Sequence, residues 1–133
     1  MDFPVNCIRG IRKSSWVNDE GKVSGLAFEP DLRTKDNRED QGCETSINWE
    51  DDSNALSFTL KEYEHGVVRL QTQKIDYVNR IHGALDSLKL ERDLLPKNPY
   101  HGNLVFSGRL RKIEIKQIAS TLALGASDII TPD

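Results

Sequence analysis

Short runs in which apolar and polar residues alternate recur along this chain, interspersed with stretches of helical spacing. Alternation with a period of two predicts half-buried strands, and apolar residues three or four apart predict amphipathic helices. The strands are predicted at residues 3–11, 23–28, 44–49, 67–70, 88–94 and 104–107. The helices are predicted from Asp52 or Ser53 to a His65-Gly66 stop, around Ile75 to Ile81 with Gly83 as its end, and over 109–126.

Because strands outnumber helices and the two are interspersed, the chain is predicted to be α+β. We expect a central, mainly antiparallel or mixed sheet with about three helices, the longest at the C-terminus. The 133 residues are expected to form a single compact domain over 1–133, since a chain of this length buries roughly two thirds of its unfolded surface. Residues 31–43 are predicted to be one long polar loop, which is functional or mobile.

Composition places the chain among soluble globular proteins. Hydrophobic residues make up 37% and charged residues 29%, and no apolar run approaches the ~20 residues that span a bilayer. The N-terminal segment MDFPVNCIRG lacks a secretory signal pattern, so a cytoplasmic location is expected. Cys7 and Cys43 are interpreted as reduced thiols rather than a disulfide.

Charge is unevenly distributed. The net charge is -3, but residues 29–64 carry eleven acidic and four basic side chains, whereas residues 65–116 carry ten basic and five acidic ones. Such asymmetry can orient a protein partner or favour head-to-tail contact in a homo-oligomer. It is equally typical of solvated faces. The overall acidity argues against a nucleic-acid binder.

The segment PKNPYHGNLVFSG, residues 96–108, predicts a rigid polar loop before an apolar strand. Pro96 and Pro99 restrict the backbone, and the loop presents Tyr100, His101 and Asn103 as candidate ligand-binding residues. All three histidines precede glycine; His65 and His82 are interpreted as helix stops. His101 instead pins the loop or meets a ligand.

Three polar groups are expected near strand ends: Arg9, Ser46 with Glu44, and His101. An arginine and a histidine can grip a phosphate or carboxylate, so these residues predict a site for an anionic ligand such as a nucleotide. No spacing indicates a metal site, and no nucleophile elbow, P-loop or dinucleotide fingerprint is present. No metal or cofactor is therefore expected, and catalytic residues are not assigned.

An NAD-using transferase is a sharper alternative. Small ADP-ribosyltransferases distribute an Arg or His, a Ser or Tyr, and a Glu over three strand regions. The chain lacks a clear late-strand glutamate, because Glu114 falls in a predicted helix.

The motifs CIRGI, VSGLAF, GCETSINW, GVVRLQTQKI and NPYHGNLVFS, followed by a final helix, resemble a group of small uncharacterised bacterial proteins that share an "NPxHxxL" segment. The resemblance covers most of the chain and implies no established activity. The positions that it points to are Arg9, Phe28, Ser46, Asn98, Pro99 and His101.

Together these features favour a small bacterial accessory or protein-interaction domain that acts with a larger partner of unknown identity. Asp36, Glu39 and Asp40 in the acidic loop are the candidate partner-binding residues. An antitoxin or immunity-like protein is a special case. The alternative is a small enzyme or binding domain for an anionic ligand that uses Arg9, Ser46 and His101.

Overall fold

The computed structural model describes residues 4–30, 43–81 and 87–132. Within these ranges a five-stranded sheet has the order β3-β1-β2-β5-β4, and every neighbouring pair is antiparallel. The strands are β1 (Asn6–Gly10), β2 (Cys43–Trp49), β3 (Val67–Gln71), β4 (Leu88–Arg92) and β5 (His101–Phe106). The helices are α1 (Asn54–Leu60), α2 (Lys74–Ile81) and α3 (Lys112–Leu124). The α+β prediction is confirmed, with the longest described helix at the C-terminal end.

The main core lies on one face of the sheet. Alternate strand residues such as Cys7, Trp49 and Phe106 are fully buried there, together with Ile118 and Leu122 from α3. Cys7 is a free thiol, and burial raises its pKa to about 12, so the thiol is neutral and unreactive at physiological pH.

The opposite face is covered by α1. Ile8 of β1 and Val67 of β3 pack there against Ala55, with Tyr63 and Tyr100 at the margin. β1 is buried on both faces, since the main core covers one face and α1 covers the other. No helix in the described part of the chain is long and apolar enough to cross a membrane.

One predicted strand is wrong. Residues 23–28 form a 3-10 helix over Gly25–Phe28, and Val23 makes only an isolated bridge to Val17. The Ser24 hydroxyl accepts from the Leu26 N–H at 3.3 Å, which stabilises the turn. A Cβ on Gly25 would lie 2.7 Å from the Ser120 hydroxyl oxygen, so α3 packs directly onto this turn.

The helix-stop interpretation of His65 is also wrong. α1 ends at Leu60, and Gly66, with φ +96°, instead shapes the turn into β3. A Cβ there would lie 2.5 Å from the Ile130 carbonyl oxygen. His82-Gly83 and residues 31–42 of the predicted loop 31–43 fall outside the described residues, whereas Cys43 belongs to β2.

The start of α1 and the position of β5 refine the remaining predictions. Asp52 caps the helix, since its Oδ1 accepts from the Asn54 N–H at 2.8 Å, whereas Ser53 makes no side-chain cap.

β5 begins at His101. His101 and Asn103 therefore lie on the strand itself rather than in a loop before it.

A buried amide protects the β4 edge of the sheet. Asn79 of α2 is 4% exposed; its Nδ2 donates to the Leu88 carbonyl and its Oδ1 accepts from the Leu88 N–H, both at 2.9 Å. These two bonds replace the pairing that a further strand would make. The side chain thus ties α2 to β4.

Asn79→Ala should lower the free energy of unfolding by about 2–4 kcal/mol, because it leaves two buried backbone groups of Leu88 without partners. Urea denaturation measures this loss. Asn54→Ala, on an exposed residue, is the control and should change the stability by less than about 0.5 kcal/mol. Equal stability of the two variants would contradict the role of Asn79.

A close contact between Gly10 and Tyr63 joins β1 to the turn after α1. A Cβ on Gly10 would lie 2.4 Å from the Cδ2, Cε2 and Cζ atoms of Tyr63. Because these distances are equal, the ring face lies over the glycine Cα. Only glycine allows this approach.

Gly10→Ala should therefore cost about 1–3 kcal/mol of folding stability, since the ring must move away. Gly125→Ala is the matched control: the backbone there has φ -90°, and an added Cβ would meet its nearest atom at 3.7 Å. Thermal unfolding should show the control unchanged or slightly stabilised. A Gly10→Ala variant as stable as the control would exclude the tight contact.

Candidate functional site

The two central strands β1 and β2 pair over a short length. Their register contains Cys7↔Trp49 and Ile8↔Asn48, whereas β1 continues to pair with β3 as far as Gly10↔Val67. β2 likewise continues with β5 as far as Cys43↔Phe106. Beyond Ile8 the ladder between β1 and β2 stops, and backbone groups on the facing edges need other partners.

Arg9 supplies one of these partners. Its Nη1 donates to the Ser46 carbonyl of β2 at 2.8 Å, and its Nε donates to the Ala27 carbonyl of the 3-10 helix at 2.7 Å. The side chain thereby ties β1 to two elements where backbone pairing ends. Arg9 is only 6% exposed, so these bonds form in a largely dry environment.

The charge of Arg9 has no carboxylate partner among the described residues. Burial first, and the nearby Arg12 second, lower the pKa of its guanidinium to about 10, which leaves it charged at neutral pH. The guanidinium carbon Cζ lies 5.2 Å from the centroid of the Trp16 ring, which is a cation–π contact. Two carbonyl oxygens and an indole offset only part of the cost of burying a cation.

A cleft of about 390 Å³ opens beside this guanidinium; we call it the Arg9 cleft. Its lining residues are Arg9, Arg12, Lys13, Trp16, Glu29, Pro30, Glu44, Thr45 and Ser46. The Glu29 carboxylate is paired with Lys116 at 3.2 Å. The three cations have no such carboxylate partner within the described residues, so the cleft is electropositive at its arginine end.

A second cleft, of about 370 Å³, contains His101; we call it the His101 cleft. Its lining residues are Ile8, Gly10, Arg12, Ser46, Ile47, Asn48, Thr59, Glu62, Tyr63, Leu95, Lys97, Asn98 and His101. Ser46 and Arg12 line both clefts. Since Asn48 and His101 are register partners, they present their side chains on the α1 side of the sheet, opposite to Arg9.

A directed chain of hydrogen bonds fixes the walls of the His101 cleft. The Tyr100 N–H donates to Asn98 Oδ1 at 3.0 Å, and Asn98 Nδ2 donates to Asn48 Oδ1 at 2.8 Å. Asn48 Nδ2 then donates to the Thr59 hydroxyl at 2.9 Å, which donates to the Ala55 carbonyl at 2.8 Å. The turn before β5, the sheet and α1 are thus held in one arrangement.

The His101 ring is oriented by the backbone. Its Nδ1 lies 2.8 Å from the Asp93 carbonyl oxygen, which can only accept, so Nδ1 carries the proton. The Asp93 carboxylate lies 3.5 Å from the same nitrogen. In the neutral ring Nε2 then holds the lone pair, and no described residue donates to it.

The other two candidates from the proline-bound segment make contacts within the protein. The Tyr100 hydroxyl donates to Asp52 Oδ1 at 3.0 Å, and its ring meets Phe58 edge-on at 5.4 Å. Asn103 is 2% exposed and donates to Glu91 Oε1 at 3.2 Å. Neither lines either of the two clefts.

The predicted ligand residues are therefore divided between two places. Ser46 and Arg9 meet at one cleft, and Ser46 and His101 meet at the other. Arg12 and Lys97 were not singled out from the sequence. Arg12 follows the predicted first strand directly, and a cation at a strand end was the signal that could have found it.

The acidic candidates Asp36, Glu39 and Asp40 lie outside the described residues, so their role in binding a partner stays a prediction. Among the described residues, no group of histidine, cysteine and carboxylate side chains is arranged to hold a metal ion. Glu114 lies in α3, as its helical spacing predicted.

Comparison with known proteins identifies no relative of this chain. No protein family, curated protein or solved structure matches the chain. The resemblance to small bacterial proteins with an "NPxHxxL" segment accordingly stays a prediction.

Proposed function

We propose that the chain is a small ligand-binding domain that holds an anionic group in the Arg9 cleft. The observation that supports the proposal is a buried guanidinium whose charge no described carboxylate balances. A bound anion would offset the cost of burying that charge. Binding and folding stability would then be coupled, because the ligand binds only the folded chain.

A phosphate or carboxylate is the chemical group that suits the arginine end. The hydrogen bonds of Arg9 to the Ala27 and Ser46 carbonyls employ Nε and Nη1, and a guanidinium carries five N–H donors in all. Arg12 supplies a second guanidinium, and planar guanidinium groups match the oxygens of phosphates and carboxylates. Lys13 adds positive charge at the same cleft.

Two carboxylates of the lining limit which anions fit. Glu29 is paired with Lys116, whereas burial first, and Glu91 and Asp93 second, raise the pKa of Glu44. The charged form of Glu44 would repel a ligand that carries negative charge at both ends. We infer a small metabolite with one anionic end, and the cleft volume lies at the lower end of the range for such sites.

Binding is favoured over catalysis because no hydrogen bond joins Ser46 to His101 among the described residues. A nucleophile and its base need such a contact. A protein-interaction domain stays an alternative prediction, since the acidic residues on which it depends are outside the described ranges. The Arg9 cleft, in contrast, is built entirely from described residues.

Quenching of tryptophan fluorescence by iodide tests the proposal. Trp49 is fully buried, so an ionic quencher in water reports on the half-buried Trp16. We expect inorganic phosphate to suppress quenching by iodide while leaving quenching by neutral acrylamide unchanged. Arg12→Ala should lower the iodide quenching constant about two- to fivefold, the effect of losing one surface charge interaction.

Arg80→Ala is the matched control, because Arg80 is exposed on α2 and does not line the cleft. It should quench as the unmodified protein does. If Arg12→Ala and Arg80→Ala respond equally, or if phosphate suppresses acrylamide quenching as strongly as iodide quenching, the Arg9 cleft does not attract anions.

A further inference from the structure

Acidic side chains lie beside His101, although they do not line the His101 cleft. The Asp93 carboxylate lies 3.5 Å from His101 Nδ1, and Asn103 Nδ2 lies 3.2 Å from Glu91 Oε1 and 3.5 Å from Asp93 Oδ2. Burial first, and then these two acids, raise the pKa of Glu44, in line with the grouping of carboxylates on this part of the sheet. The lining itself carries charges of both signs, Arg12 and Lys97 against Glu62, so a ligand without net charge suits the cleft.

His101 nevertheless offers a well-placed acceptor. The Asp93 carbonyl holds Nδ1–H at 2.8 Å, and the lone pair of the neutral ring is therefore on Nε2. The His101 side chain is 14% exposed, so a group that reaches it leaves bulk water. A neutral hydrogen-bond donor is the partner that such a nitrogen accepts without a charge penalty.

We propose that the His101 cleft is a second binding site, for a small uncharged hydroxylated ligand such as a sugar. A ligand hydroxyl donates to His101 Nε2, and the Ser46 hydroxyl is a neighbouring donor and acceptor. Arg12 and Lys97 line the same cleft and donate to further hydroxyl oxygens. Glu62, also part of the lining, accepts from a hydroxyl. Its negative charge partly offsets the positive charges of Arg12 and Lys97.

The cleft is prepared for such a ligand by its fixed walls. The chain from the Tyr100 N–H through Asn98 and Asn48 to Thr59 involves polar groups of three elements. Its members are held before any ligand arrives, so little ordering of protein side chains opposes binding. Leu95, an exposed apolar residue of the lining, suits the C–H face of a sugar ring.

This site is independent of the anion site, although Arg12 and Ser46 line both clefts. Arg9 bonds the Ser46 carbonyl from the other side of the sheet, whereas a ligand in the His101 cleft contacts the Ser46 side chain. The two proposals can therefore fail separately, because different residues are observed in the two experiments. Trp16 reports on the Arg9 cleft, and His101 and Asn98 report on the His101 cleft.

Nuclear magnetic resonance tests the proposal with methyl α-glucoside as the neutral probe and acetate as the anionic one. Long-range proton–nitrogen spectra should show His101 in the Nδ1–H form. The glucoside should shift the signals of Asn98 and His101 and leave the Trp16 indole unchanged. Acetate should shift the Asn98 and His101 signals less than the glucoside does.

His101→Asn is the informative variant. An asparagine amide replaces the Nδ1–H donor to the Asp93 carbonyl but has no counterpart of Nε2. We expect it to keep the fold and to weaken glucoside binding about fivefold, the effect of one hydrogen bond. His65→Asn, outside the cleft, should bind as the unmodified protein does.

Three results would overturn the proposal. The first is an Nε2–H form of His101 in the free protein. The second is an absence of glucoside shifts at Asn98 and His101, or shifts from acetate that exceed them. The third is unchanged glucoside binding in the His101→Asn variant.

Discussion

Arg9 joins β1 to β2 where their backbone ladder has ended, next to Ser46, which lines both clefts. The guanidinium donates to the Ser46 carbonyl on β2 and to the Ala27 carbonyl of the 3-10 helix. It thus holds together three elements whose backbones do not pair there, and it satisfies buried carbonyl groups that would otherwise be costly. The same interaction places a positive charge inside the protein, and the described residues balance that charge only with dipoles and an indole ring.

The two proposed sites differ in the groups that surround them. On the face of the sheet opposite to α1, Arg9, Arg12 and Lys13 concentrate positive charge. On the α1 side the acidic residues around Asn103 lower the potential near His101, whose ring is held by the Asp93 carbonyl. An anionic group suits the first environment and a neutral donor suits the second. The sheet separates the two, and Arg12 and Ser46 border both.

Much of the fold could be predicted from local sequence patterns. Alternation identified β2, and apolar residues at helical spacing over 109–126 identified α3. The segment 23–28 was misassigned because its alternation resembles a strand, whereas the Ser24 cap and the packing of Gly25 on Ser120 decide the structure. The second of these contacts spans most of the chain and leaves no local signal.

The candidate site was predictable only in its residue types. Arg9, Ser46 and His101 do contribute to clefts, but their division between two faces follows from strand register, which a single sequence does not reveal. The contact between Asn48 and Asn98 depends on that same register. Arg12 and Lys97 are exposed; the position of Arg12 directly after the predicted first strand was a usable signal, whereas nothing in the local sequence of Lys97 distinguishes it from other surface cations.

A crystal structure obtained in sodium bromide would test whether the buried Arg9 guanidinium forms an anion-binding site. Anomalous scattering at the bromine absorption edge locates bound bromide without ambiguity. We expect an anomalous peak in the Arg9 cleft, within contact distance of Arg9 and Arg12 and adjacent to Trp16. Peaks at other surface arginines, with none in the Arg9 cleft, would contradict it.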